Sequence, residues 1–226
     1  SMSDKPSVRS PWFWVPSLYF AQGIPYVAVM IVSVLMYKRL GVSNTDIALY
    51  TSWLNLPWVI KPFWSPFVDL LKTKRWWVAT MQLLIGAGLA GVAFTIPTTF
   101  FFQASLAVFW LLAFSSATHD IAADGFYMLA LDSHEQAFFV GIRSTFYRIA
   151  IIAGQGVLVM FAGFLENSTG NIPLAWSVTF FILGGLFLAL FLYHRYILPL
   201  PKGDKPSATV TPSTILKEFF ATFASF

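Results

Sequence analysis

Apolar residues fill this chain in long blocks, separated by short polar turns. Six blocks are Trp12 to Tyr37, Asp46 to Phe67, Trp76 to Ile96, Phe100 to Leu131, Phe139 to Phe164 and Leu174 to Tyr196. Each has the roughly 20 residues that an α-helix needs to cross a bilayer. The fourth exceeds one bilayer thickness, so it tilts or projects into the cytoplasm. The links are Lys38 to Thr45, Val68 to Arg75, Pro97 to Thr99, Asp132 to Gln136 and Leu165 to Pro173. Links this short make successive helices antiparallel neighbours. The pattern predicts an all-α polytopic membrane protein with a six-helix transmembrane bundle over residues 12–197. A cytoplasmic segment, 1–11, precedes it, and a cytoplasmic linker with a short amphipathic helix, 198–226, follows. In that last helix Thr211 is the expected N-cap and Pro212 the first helical residue. Ile215, Leu216, Phe219, Phe220 and Phe223 share one of its faces.

Polar residues inside the blocks carry more information than the blocks themselves, because a charge in a span is costly and usually faces a bundle interior or a watery cavity. Asp120 and Asp124 are four residues apart in the fourth block. That is just over one helical turn, so both carboxylates project from one face. Lys61 in the second block and Arg148 in the fifth lie at a similar depth and are the expected counter-charges. Arg143, nearer the end of the fifth block, is expected to stay at the interface as an anchor. Two readings of the four charges coexist: a structural ion-pair network, and a set in which an aspartate takes up and releases a proton as its partners move. His119 points about 100° away from Asp120 and is expected in packing rather than in a proton relay.

The second block also contains Pro57, Pro62 and Pro66. Each removes a backbone donor, so the helix should bend or break near its inner end. Broken helices at membrane depth are tolerated where they are packed in protein or line a cavity. Gln22, beside Gly23 and Pro25 in the first block, and Asn55 in the second are polar groups that can serve a solute or another helix equally well. Tyr147 can stack on a sugar or a base. Asp69, with Lys74 and Arg75, is the expected charged cytoplasmic latch between the second and third spans.

Composition agrees with the pattern: 57% of the 226 residues are hydrophobic and only 11% charged, where a soluble domain has about 25% charged. The net charge of +4 resides in the loops, which argues against nucleic-acid binding. Ten Lys and Arg fall on the face that holds both termini and two, Lys38 and Arg39, on the other. The positive-inside rule therefore places both termini in the cytoplasm. With no cysteine, thiol chemistry is excluded. No phosphate-cradling glycine loop and no histidine pair at metal-ligand spacing occurs, so no cofactor and no metal is expected.

Four fragments resemble the major facilitator superfamily, and more closely its branch of muropeptide permeases and acetyl-coenzyme A transporters. They are Gln22-Gly23-Ile24-Pro25, Lys61 with Trp64-Ser65-Pro66 and Asp69, Asp120-Ile121 with Asp124, and Tyr147-Arg148. The superfamily's loop after the second span usually begins with glycine and has an arginine after its aspartate; Ser65 and Leu70 stand there in this chain. The resemblance implies two inverted three-helix repeats that form the N-terminal half of a twelve-helix transporter with a central site. It implies a secondary transporter rather than an enzyme, with proton-coupled import of an anhydro-sugar peptide in a bacterial inner membrane. Its partners are then the lipid bilayer, the small-molecule substrate, protons and a missing C-terminal six-helix half. By position, Lys61, Asp120, Asp124 and Arg148 become the functional charges: the cations hold an anionic part of the solute, and Asp120 or Asp124 carries the proton. Acetyl-coenzyme A or another nucleotide-bearing anion is the alternative cargo. An intramembrane enzyme using both aspartates and a non-transporting sensor or scaffold are the remaining classes.

Overall fold

A computed structural model describes residues 9–206 and 212–224. The expected cap Thr211 lies outside these residues. Five helices are long and apolar enough to cross a membrane: α1 (Pro11–Arg39), α3 (Lys74–Thr95), α4 (Phe101–Ala130), α5 (Ser133–Thr169) and α6 (Ile172–Ile197). Among the described residues there is no strand. Helix α5 begins six residues before the expected Phe139, because Asp132 and Glu135 form a reciprocal capping box that satisfies the first free amides.

The remaining block, α2 (residues 44–71), is helical in pieces: Asn44–Thr51, Leu56–Ile60 and Ser65–Leu71, joined by tight 3-10 turns at Ser52–Asn55 and Lys61–Phe63. The break at Lys61–Phe63 is the one the prolines predict. The break at Ser52–Asn55 has the same cause one turn earlier, since the ring of Pro57 cannot sit against the carbonyl of Trp53 in a regular helix. Despite its breaks α2 runs the length of the bundle: Ile47 and Leu54 pack in one apolar cluster and Val68 in the other. A short final helix, α7 (Pro212–Ala224), packs on the last piece of α2, with the Phe63 and Phe223 rings 4.9 Å apart.

Among the six segments packing joins α1 to α4 and α5, α2 to α4, α3 to α4 and α6, and α5 to α6, with lighter contacts of α1 with α2 and α6 and of α2 with α3. Exchanging the first three segments for the last three carries every one of these pairs except α1–α2 onto a pair of the same set, as two related three-helix units lead one to expect. Helices α1 and α5 approach very closely. A Cβ on Gly23 would stand 2.6 Å from that of Ala150, and one on Gly154 would stand 2.3 Å from Val27 Cγ1. Both helices carry a π turn at this crossing, Ala28–Val32 and Gly154–Leu158, a local widening common at functional sites.

The apolar interior falls into two clusters. One gathers Tyr37, Leu54, Ile85, Phe109, Ala150 and Phe187; the other Trp14, Val68, Val78, Phe126, Phe139 and Leu198. In five of the six segments a polar residue lies between the contributions to the two clusters: Lys61, Gln82, His119 and Asp120, Arg143 and Tyr147, and His194. In α1, Ser17 and Gln22 flank the changeover between Tyr19 and Ala21. The bundle is thus two apolar layers around a polar one.

Candidate functional site

One part of the polar layer opens into a cavity of about 420 Å³ among α1, α4 and α5, lined by Tyr19, Gln22, Asp124, Arg143, Tyr147 and Arg148. Its size lies in the range of small-molecule sites, roughly 300–1,000 Å³. At its floor three groups close on one another. The Tyr19 hydroxyl donates to Asp124 Oδ1 at 3.1 Å, Arg143 Nη1 donates to the Tyr19 oxygen at 3.0 Å, and the same nitrogen is 3.7 Å from Asp124 Oδ1. The guanidinium also lies over the Tyr127 ring, 4.7 Å from its centre.

Arg143, expected as an anchor at the interface, is the ion-pair partner of Asp124. Arg148 is not that partner. It is exposed to the cavity and, among the described residues, has no ion pair. The register of two antiparallel helices explains the exchange. With a short turn at Asp132, going back along α4 means going forward along α5. Asp124 therefore faces Arg143, and Asp120, one turn back, lies within electrostatic reach of Tyr147, one turn forward. Counting from that turn was the available signal for Arg143; nothing in the sequence marked Tyr19 as the bridging hydroxyl.

Asp120 is held differently. Its Oδ2 is 4.0 Å from Lys61 Nζ, a long contact, and its buried Oδ1 accepts no hydrogen bond. Lys61 sits at the tight turn Lys61–Phe63, so the break in α2 brings the ammonium to α4. Trp64, just beyond, fixes that turn by donating from its indole to Thr118 at 3.0 Å. Of the expected charges, the structure pairs Lys61 with Asp120 and leaves Arg148 apart. Gln22 and Tyr147 line the cavity, and the buried Gln22 Oε1 has no donor. Asn55 does not line it; it lies at the other break of α2, half-buried.

Behind this open part the polar layer is closed. Gln82 Nε2 is 3.1 Å from His119 Nε2, its Oε1 is 2.8 Å from His194 Nδ1, and His194 Nε2 is 2.8 Å from the Ser17 hydroxyl. Gln82, His119 and His194 have no exposure, and one chain of direct hydrogen bonds ties α4, α3, α6 and α1 together. His119 is a packing residue in this sense, as its face predicts. Its link to His194 was not legible, because the two stand 75 residues apart.

At the basic end of the bundle Asp69 pairs with Lys74, whose stem lies over Gly125 of α4. Arg75, expected in the same latch, turns away: it donates to the carbonyls of Leu198, at 3.2 Å, and Arg195 at the end of α6. The reason is Asp204, which accepts from the Lys74 and Arg75 amides at 2.6 and 3.0 Å and so ties the linker to the first turn of α3. At the opposite end Arg39 of α1 donates to Glu166 of α5 at 2.8 Å.

The chain matches the BT1 family over residues 20–218. It is 29% identical over 181 residues to AmpG 4 of Rickettsia conorii, covering 76% of this chain and 41% of that protein. To the anhydromuropeptide permease of Escherichia coli K12 it is 28% identical over 153 residues, 64% of this chain and 30% of the permease. An uncharacterized protein of the yeast Schizosaccharomyces pombe is 28% identical over 145 residues, 58% of this chain and 28% of its own length. The chain thus spans about two fifths or less of these relatives, which come from bacteria and a eukaryote. The matched region takes in all of α2 to α6 and the cavity-lining part of α1, apart from Tyr19 one residue ahead of it, and by that match this integral membrane protein belongs to the BT1 family, of major facilitator type.

Proposed function

We propose that this chain forms one half of a proton-coupled secondary transporter, and that its cavity takes an anhydro-sugar peptide. The observation that carries the reading is the difference between the two aspartates. Asp124 is engaged by both Tyr19 and Arg143, whereas Asp120 has one distant cation and an oxygen without a donor. An oxygen that accepts nothing can take a proton without giving up a hydrogen bond, and release of Lys61 follows from the loss of charge. Asp120 is therefore the proton carrier of this reading, and Lys61 its responding partner on a broken helix.

Arg148 supplies the other requirement. A cation in a cavity without a protein counter-ion is suited to a solute carboxylate, and Tyr147 beside it offers a ring face to a sugar. The names of the bacterial relatives point to transport rather than catalysis. The charge distribution of the loops supports cytoplasmic termini. Acetyl-coenzyme A remains the second cargo, since the same unpaired Arg148 suits a phosphate equally well.

The test is uptake of labelled anhydromuropeptide by vesicles that contain the full-length protein, with and without an imposed proton gradient. Gradient-dependent accumulation is expected, and Asp120→Asn should abolish accumulation while leaving exchange of labelled for unlabelled solute. Uptake that ignores the gradient, or accumulation undiminished in Asp120→Asn, refutes the coupling. Uptake of acetyl-coenzyme A alone would transfer the same site to the second cargo.

A further inference from the structure

A second site lies on the helix pair that takes no part in the cavity. Helices α3 and α6 touch backbone to backbone at Gly86 and Gly184: a Cβ on Gly184 would stand 3.0 Å from the Gly86 carbonyl. Small residues at such a crossing let helices approach, but here they also leave a trough beside the contact. Its apolar part, about 350 Å³, is lined by Leu83, Ala87, Ala90, Phe181, Gly185 and Leu188. Leu83 also borders a larger hollow of about 720 Å³ at the basic end, walled by Arg75, Trp76, Phe191, Arg195, Tyr196 and Asp204. Along α3 the two share one stripe from Trp76 to Ala90, which at 1.5 Å per residue is about 21 Å. One leaflet of the hydrocarbon core is about 15 Å deep.

The hollow is at interfacial depth, in the first turn of α3 and the last turn of α6, with Trp76 and Tyr196 exposed beside it as interfacial aromatics are. Its charge is unbalanced. Arg75 and Arg195 repel one another across it, and both oxygens of the single carboxylate, Asp204, are taken by backbone amides. The Arg195 side chain is exposed and has no ion pair among the described residues. Two cations over one anion at the head of an apolar trough match a molecule with an anionic head and an acyl tail.

We propose that this trough holds an anionic phospholipid of the surrounding bilayer, its phosphate between Arg75 and Arg195 and one acyl chain along Gly185. The site is separate from the transport cavity, shares none of its residues, and ties lipid to the α3–α6 pair and to the linker that Asp204 anchors.

Two substitutions probe head and tail separately. Arg195→Gln removes a charge from an exposed side chain. Gly185→Leu fills the trough, and its Cβ meets nothing within 4 Å, so neither should disturb the fold; thermal melting checks this. The full-length protein in detergent is titrated with phosphatidylglycerol, phosphatidylcholine or glycerol phosphate, and native mass spectrometry reads the retained adducts. Phosphatidylglycerol should be retained about fivefold over phosphatidylcholine, as about 1 kcal/mol for the one net positive charge of the hollow near the surface implies. Arg195→Gln should bring that ratio close to one, and Gly185→Leu should remove the preferred adduct although both arginines remain. Equal retention of the two lipids, or a ratio unchanged in either variant, overturns the proposal. Displacement of the lipid by glycerol phosphate at equal concentration would make this a site for free phosphate and overturn it too.

Discussion

Asp124 is coupled to Arg143 and not to Arg148, and a pair of double-mutant cycles measures the difference. The Arg143 nitrogen stands 3.7 Å from Asp124 Oδ1. Coulomb's law at that separation yields about 4.5 kcal/mol at an effective dielectric constant of 20 and about 1 kcal/mol in bulk water. The side chains are 31% and 45% exposed, so solvent screens the pair and the lower end applies. The expected coupling is about 1–2 kcal/mol. Asp124→Asn, Arg143→Gln and the double variant keep shape while removing charge. Stability is read by equilibrium denaturation in mixed detergent micelles, and the coupling is the departure from additivity. The matching cycle with Arg148→Gln should show coupling below about 0.5 kcal/mol, the usual scatter for independent sites. Equal coupling in the two cycles, or a larger one with Arg148, would refute the helix register on which the site is built.

Gln82→Leu takes the partner from one buried nitrogen on each of two imidazoles, His119 Nε2 and His194 Nδ1, while His194 keeps Ser17, at about 1–3 kcal/mol for each orphaned group. Replacing Gln82, His119 and His194 together by apolar residues should cost less than Gln82→Leu alone, and denaturation midpoints decide this. Gly154→Leu cannot be packed against Val27, whose Cγ1 is 2.3 Å from the required Cβ. Loss of a monodisperse protein on gel filtration is expected, while Gly156→Leu, which meets nothing within 4 Å, should be harmless. Arg148→Met should weaken an anionic solute by about 10- to 100-fold, the worth of a charged hydrogen bond of roughly 1.5–3 kcal/mol. A neutral analogue should be unaffected, and titration calorimetry with both solutes distinguishes the cases.

Much of the architecture was legible in the chain. Segment existence follows from hydropathy alone, because a bilayer forces every backbone group to bond within its own helix. The five unbroken helices accordingly begin and end within a few residues of the apolar blocks, α5 excepted, where a capping box adds more than a turn. The fracture of α2 at Lys61 was legible for an equally local reason, since three prolines withdraw three donors. The pairing of Lys61 with Asp120 followed from depth, one coordinate that sequence position supplies.

What the chain could not disclose is rotation and register between helices. Hydropathy sets how deep a residue sits, but which neighbour it meets depends on how each helix turns about its axis, and that is settled by packing. Gly23 and Gly154 let α1 press on α5, which brings Tyr19 over Asp124 and Arg143 and leaves Arg148 free in the cavity. Gly86 and Gly184 likewise set α3 against α6, joining Gln82 to His194 and opening the trough beneath Arg75 and Arg195. Depth was written in the composition of each segment; partnership was decided only where glycines let the helices meet.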